Sequence, residues 1–331
     1  MRSPLRLPPS RQAREEKATG GIRLPTPLDP ATLVEVYGGS LDVPASTAPI
    51  TRVVAAGQET MAGCLVPVFR VAAIAAVRLT PALLLVDAVL APRVPPGRRW
   101  VHPHAAWVLA EILAPAVDDP RADERSRAHL ETGAVVPLSA RIGIGCVIRA
   151  GAVLGEHCHL EPYVVVHPRV RLGERVRVGS AAILGQPGFG WVTGPQGAVR
   201  RMPHGAGVII EDDADIGAHV TIDAGVLTPT RIGRRTRLDA HVHVAHNATI
   251  GPDSFVAAQA GFAGSVQVGA RVRVGGQAGV ADHVRIGDGA QLAAKAGVIG
   301  HIPAGIAVAG YPAVPRWRWL RGVARLLAKR S

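Results

Sequence analysis

Aromatic residues are scarce, 4% of the 331-residue chain, so any sizeable core must be aliphatic. With 38 Gly and 27 Pro, the composition suits many short strands and tight corners better than a helical bundle. Cysteine is scarce too. Cys64, Cys146 and Cys158 are odd in number, with no CxxC pair and no zinc-ligand spacing. They indicate neither a disulfide framework nor a structural metal, and a reducing compartment fits. Long apolar runs are also lacking. The most apolar stretch, Val66 to Pro92, is interrupted by Arg70, Arg78, Pro81 and Asp87, well short of the roughly 20 clean residues of a membrane helix. The opening MRSPLRLPPSRQAREEK lacks the apolar segment of a signal peptide and reads as a disordered tail over 1–21. A cytoplasmic protein with no integral membrane segment is expected. Acidic residues are the minority, 25 against 37 Lys and Arg, for a net charge of +12. That balance favours anionic partners such as phosphorylated sugars or acidic proteins, or it reflects Arg-rich solvated faces. Nucleic-acid binding is disfavoured, because no recognition helix or aromatic-interleaved basic strand is present.

The chain does contain a repeat. Every sixth residue from 142 to 184 is aliphatic: Ile142, Ile148, Leu154, Leu160, Val166, Leu172, Val178, Leu184. The register resumes at Ile210, Ile216 and Ile222, and again in a new phase from Ile232 to Val298. Gly often follows directly, as in Ile142-Gly143, Leu154-Gly155 and Ile250-Gly251. Neither a helix of period 3.6 nor a flat strand of period two keeps a six-residue register this long, whereas a coil of three short strands does. Three hexads make an 18-residue turn, and successive turns stack at about 4.8 Å. The fold class is therefore mainly β, a parallel β-helix over 130–310.

The interruptions define the rest. Residues 185–209 are rich in Gly and Pro, off register, and expected to leave the coil as a loop, a place where function often resides. The break between Ile222 and Ile232 inserts four residues and should bulge one corner. Residues 22–115 read as a separate N-terminal α/β domain, with apolar runs at Ile50–Ala55, Cys64–Phe69 and Ala82–Val86 and a helix near Ala105 to Leu113. A charged linker follows over 116–129, and residues 311–331 form a short basic C-terminal helix.

Chemistry concentrates at 238–251, LDAHVHVAHNATIG, where His241, His243 and His246 fall within six residues. By the coil arithmetic His246, Gly264 and Asp282 stack in one column, with His283 adjoining. A neutral imidazole beside a small residue with an accessible backbone N–H offers a general base and an oxyanion donor, as acyl transfer requires.

GQPGFGW at 185–191, TIDAG at 221–225, LDAHVHVAHNATIG at 238–251, FAGS at 262–265 and GVADH at 279–283 resemble the UDP-3-O-acylglucosamine N-acyltransferases of lipid A biosynthesis. The resemblance implies a left-handed coil, although the general crossover rule alone would favour a right-handed one. It implies a homotrimer that transfers a 3-hydroxyacyl chain from acyl carrier protein to the 2-amino group of a UDP-linked amino sugar. It further implies that His246 is the general base, that Asp239 orients it, that the Gly264 N–H binds the oxyanion, and that His283 assists near the sugar phosphate or thioester. Asn247 and His243 are expected to contact substrate. No metal or diffusible cofactor is implied, since phosphopantetheine arrives on the carrier protein. Departures from the pattern are Ala224, where the family usually has Arg, and His243, where it has an amide. The customary Asn-Pro-x-Tyr of the uridine domain is absent, and Phe69 in CLVPVFR is the only nearby ring for stacking uracil. The basic C-terminal segment, including Arg316, Arg318, Arg321 and Arg325, either meets the acidic carrier protein or is a solvated helix packed through Trp317, Trp319 and Leu320.

Three other readings compete. One is transfer of a short acyl group from acyl-CoA to another nucleotide sugar. Another is a metal-dependent hydratase using His204, His241 and His246. The third is a catalytically silent scaffold.

Overall fold

The computed structural model describes residues 21–43, 47–58, 60–77, 80–117 and 123–310, with residues 321, 322, 324 and 325 beyond them. The tail read over 1–21 and the basic helix read over 311–331 therefore lie almost wholly outside the described residues. Two compact units divide between 120 and 121. No helix among the described residues is long and apolar enough to cross a membrane.

The first unit is a six-stranded mixed sheet: β1 (Ile22–Leu28), β2 (Ser40–Asp42), β3 (Ile50–Val53), β4 (Cys64–Val68), β5 (Leu83–Asp87) and β6 (Arg99–His102), in the order β1-β3-β4-β5-β6-β2. The inner pairs β3–β4, β4–β5 and β5–β6 are parallel, and the edges are antiparallel. Central strands of such a sheet are apolar on both faces because both are covered. Leu65, Leu83, Leu85 and Trp100 pack on one side with α3 (Ala105–Val117), while Val66, Val68, Leu84 and Val86 pack on the other with α2 (Val71–Ala76). A short α1 (Leu33–Tyr37) follows β1. Phe69 is half-buried and packs against the α3-side core. It is the ring that uracil stacking was expected to use.

The second unit is a left-handed parallel β-helix with three faces. The first face has nine strands, from His129–Leu130 to Gly297–Val298, and the second nine, from Arg141–Ile142 to Ala307–Val308. The third has six, from Val170–Leu172 to Arg285–Ile286. Rungs pair 18 residues apart where the repeat is regular, as His159 with Arg177 and His243 with Gly261.

Each hexad turns two side chains inward, not one. The large aliphatic position is buried throughout, for example Ile142, Leu160, Val178, Ile216 and Leu238, and so is a smaller residue two places earlier, Ala140, Cys158, Val176, Ala214 and Thr236. A large and a small column together fill the narrow prism, and each buried Val, Leu or Ile contributes roughly 1.5–3 kcal/mol. The polar members of the small column bond to backbone: Thr236 Oγ1 donates to Gly251 O at 2.8 Å, and Ser254 Oγ accepts from Val272 N at 3.1 Å.

Corners place non-glycine residues in the left-handed region, such as Asp213 at φ 59°, His241 at 60° and Asn247 at 59°, each at a cost of about 1 kcal/mol or more. Inter-rung bonds offset this, for example Ser265 N to His246 O at 2.9 Å. The corner between the third and second faces alternates charge up the coil, Arg175, Asp213, Arg235, Asp253, Arg271. Arg175 meets Asp213 at 2.7 Å and Arg235 meets Asp253 at 2.7 Å.

Two boundaries differ from the sequence reading. Helix α3 runs to Val117, past the expected linker start at 116. The coil begins by residue 124, before the expected 130, because Glu124 N donates to Ile142 O at 3.0 Å and Arg125 donates to Ala140 O at 2.6 Å.

Candidate active site

The two interruptions of the repeat meet each other, and the site lies where they meet. The 185–209 excursion leaves the first face after an extended strand, Ile183–Pro187, and forms an antiparallel hairpin of Trp191–Thr193 against Val199–Arg201. At its root Gly205 N donates to Val226 O at 3.3 Å and Ala206 N to Gly225 O at 2.9 Å. The excursion is thus tied to the four-residue insertion, and both border the corner between the first and third faces, where His246 sits.

His246 is half-buried, and its ring is oriented by its neighbour in the chain. Asn247 Oδ1 lies 3.1 Å from His246 Nδ1 and accepts from Val226 N at 3.2 Å. Its Nδ2 donates to Thr228 O at 2.9 Å. These bonds fix which end of the amide is oxygen, and an oxygen opposite Nδ1 requires the proton on Nδ1. In the neutral ring the lone pair then sits on Nε2, the form a general base needs.

Gly264 occupies the rung above. A Cβ placed there would lie 2.7 Å from His246 Cε1 and 2.8 Å from Nε2, so only glycine lets the ring take this position. The Gly264 N–H donates no hydrogen bond among the described residues, whereas Ala263 and Ser265 on either side donate to the ladder. His246 and Gly264 therefore stand together, one rung apart, as the 18-residue arithmetic predicted.

Other predicted residues are placed differently. Asp239 is not beside His246. It follows Leu238 at the end of a second-face strand, its Oδ1 accepts from Ala240 N at 2.7 Å, and with Phe255 it lines a groove on that face. Seven residues exceed one hexad, so the chain has turned a corner between them. Orientation of the His246 ring falls to Asn247, a residue expected to touch substrate. His283 is exposed at the same corner, its N–H donating to Gly264 O at 3.0 Å. His241 stacks on His219 at 4.9 Å and an interplanar angle of 2°, at a different corner. The triplet His204, His241 and His246 is thus split, and no metal-ligand cluster occurs among the described residues.

Asp223, which sequence reasoning did not assign, joins the site together with His243, expected to contact substrate, and His204, named only in the metal-dependent reading. Asp223 is buried, 2% exposed, and its Oδ1 accepts from Gln186 Nε2 at 3.0 Å. His243, on the rung above, brings Nε2 to 3.7 Å from Asp223 Oδ2. His204, from the excursion, lies edge-to-face with His246 at 5.0 Å between centroids. Burial, then the nearby His246, hold the His204 imidazole below the ordinary histidine range.

A smooth strip leads away from this cluster. Going up the first face, His243 is followed on successive rungs by Gly261, Gly279 and Gly297, and a Cβ at any of the three glycines would meet open space.

No family model matches the chain. It is 41% identical over 206 residues to the UDP-3-O-acylglucosamine N-acyltransferase of Anaeromyxobacter dehalogenans strain 2CP-1, covering 61% of this chain and 55% of that protein. It is 50% identical over 147 residues to the protein of the same name from Caulobacter vibrioides, covering 44% and 43%. The chain thus spans about half the length of the curated relatives it matches. Among solved structures, Francisella novicida UDP-N-acetylglucosamine acyltransferase aligns with a TM-score of 0.52 at 25% identity over 60% of this chain and 72% of that one. Moraxella catarrhalis UDP-N-acetylglucosamine O-acyltransferase aligns at 0.51 and 24% over 59% and 76%, which speaks for the fold. In sequence the chain is therefore similar to the UDP-3-O-acylglucosamine N-acyltransferases, as its motifs implied, and in fold to hexapeptide-repeat acyltransferases.

Proposed function

We propose that this protein is an N-acyltransferase of lipid A biosynthesis. In this reading it moves a 3-hydroxyacyl chain from acyl carrier protein to the 2-amino group of UDP-3-O-acylglucosamine. The observation that carries the reading is the His246–Gly264 pair: a ring with its lone pair on Nε2, packed against a residue whose N–H has no partner in the ladder. The similarity in sequence to proteins of that name supports the choice of substrate.

The step balances with these groups alone. His246 Nε2 takes a proton from the amine as its nitrogen attacks the thioester carbonyl. The oxyanion of the tetrahedral adduct accepts from the Gly264 N–H. Collapse forms the amide, breaks the C–S bond and expels the thiolate, which receives the proton from His246. A diffusible cofactor is not required, since the thioester arrives on the carrier's phosphopantetheine. The bare glycine strip suits a flexible acyl chain lying flat against the first face. In this reading the protein works in the cytoplasm as a homotrimer, with His283 and His243 facing substrate in clefts between adjacent coils.

The test is mass spectrometry of the product from UDP-3-O-acylglucosamine with a panel of 3-hydroxyacyl carrier proteins and with acetyl-CoA. An N-acylated product from the carrier substrates is expected, together with a rate loss of roughly 10²–10⁴-fold in a folded His246→Ala variant, as for loss of a general base. Preference for acetyl-CoA, or undiminished turnover by His246→Ala, would reject the reading.

A further inference from the structure

The excursion carries an imidazole that the steps above do not use. The His204 ring is seated between two glycines: a Cβ at Gly188 would lie 3.1 Å from its Nε2, and one at Gly190 would lie 3.0 Å from its Cε1. Its backbone neighbourhood is anchored, with Met202 N donating to Gly190 O at 2.8 Å and Arg201 Nη2 donating to Pro187 O at 3.0 Å. The ring reaches His246 edge-to-face at 5.0 Å and 65°. Gly264 meets the same ring from the rung above, whereas the excursion is bonded to Gly225 and Val226 on the rung below. His246 is thus held from both sides.

Both His204 ring nitrogens are shielded from solvent, and neither has a hydrogen-bond partner. The Met202 backbone lies near the ring without meeting hydrogen-bond geometry. A buried polar atom without a partner is costly, and a phenyl ring would fill the seat without that cost. An imidazole is explained there if its partner exists only during the reaction. One such partner is the proton that His246 takes up. A neutral imidazole offers one lone-pair nitrogen, and burial together with the neighbouring His246 keeps His204 neutral.

We propose that His204 is a positioning residue for the catalytic base, a second imidazole that holds the His246 ring and accepts a hydrogen bond from it once it has taken the amine's proton. The inference rests on the N-acyltransferase reading. No bond to carbon is made or broken by His204. The proton stays on His246 until the departing thiolate takes it, so the balance of the reaction is unchanged. In this view the excursion leaves the coil in order to bring an acceptor to a place that the regular hexads, with their small and apolar side chains, do not supply.

Two substitutions separate this role from packing. His204→Phe keeps a flat ring and removes both nitrogens, whereas His204→Gln removes the ring and keeps a donor and an acceptor. His204→Phe is expected to lower kcat roughly 10- to 100-fold, the range of one hydrogen bond to a charged group, with KM within about threefold of the wild type. His204→Gln is expected to recover most of that loss. Wild-type kcat in His204→Phe, or a loss confined to KM, would overturn the proposal.

A measurement on the free enzyme keeps the pairing testable apart from turnover. The charged or titratable groups acting on His204 are His246, Asp223 and Arg201. In His246→Gln the His204 resonance, followed by NMR of histidine-labelled protein, is expected to titrate at higher pH than in the wild type. An unchanged titration would overturn the pairing itself. A shifted titration in His246→Gln, alongside a wild-type protein that yields no N-acylated product, would instead uphold the contact and sink the N-acyltransferase reading.

Discussion

The His246 ring lies so close to Gly264 that a single methyl group on Gly264 would overlap it, with 2.7 Å left to Cε1. The Gly264 backbone is not in the left-handed region, so alanine meets no backbone strain there and the coil should fold. The ring has to yield instead. Gly264→Ala is expected to keep the wild-type melting temperature to within a few degrees, while kcat falls roughly 100-fold or more, the scale of a misplaced catalytic group. Wild-type kcat in a folded Gly264→Ala protein would show that the close packing does not matter for catalysis.

Orientation of the His246 ring separates two residues eight positions apart. Asn247→Ala removes the oxygen facing Nδ1 and the bonds to Val226 and Thr228. It also leaves alanine at φ 59°. A stability loss of about 1–3 kcal/mol in urea denaturation and a marked drop in kcat are expected. Asp239→Asn, on another face, should leave kcat within about twofold, since surface changes away from a site are usually near neutral. The reverse ranking would restore Asp239 as the orienting group.

The regular parts of this molecule could be read from the chain and the irregular ones could not. Stacking of His246 under Gly264 follows from the 18-residue turn, because nothing interrupts the coil between them. Asp223 escaped that count because the four-residue insertion makes its rung-to-rung distance 22, pairing Thr221 with His243. Asp239 was assigned to His246 by the family resemblance, and a coil that turns a corner every six residues puts the two on different faces. His204 reaches the site through tertiary bonds at the root of a hairpin, and no hexad register records those. The second inward column was visible as Ala, Cys, Val, Thr and Ser two places before each large aliphatic, but small residues carry a weaker hydrophobic signal.

Two imidazoles link stability to pH. His167 is held below the ordinary value of 6.5 by burial, with Arg149 adding to the effect, and His204 is held below it by burial and by His246. An unfolded chain binds a proton at each near pH 6.5 while the folded chain does not, so unfolding gains ground as pH falls through that window. Stability should be level above about pH 7 and decline from about 6.5 downward, before the carboxylates titrate. Urea midpoints at pH 7.5 and 5.5 would measure this. The double variant His167→Gln/His204→Gln should show a smaller difference between the two, and an equal difference would refute the assignment.

The bare strip on the first face sets the last expectation. Gly261, Gly279 and Gly297 face outward on successive rungs above His243, with open space where side chains would project. An acyl chain laid along them would meet backbone alone, and successive rungs about 4.8 Å apart span roughly four methylenes each. A side chain at Gly279 would obstruct a long chain and leave a short one untouched. It should not disturb the fold, because the position is solvent-facing and β-branched residues suit strands. Gly279→Val is therefore expected to lower kcat/KM for long 3-hydroxyacyl carrier substrates by roughly tenfold or more, while sparing those too short to reach the rung. A uniform loss at every chain length, or none at any, would place the acyl chain elsewhere.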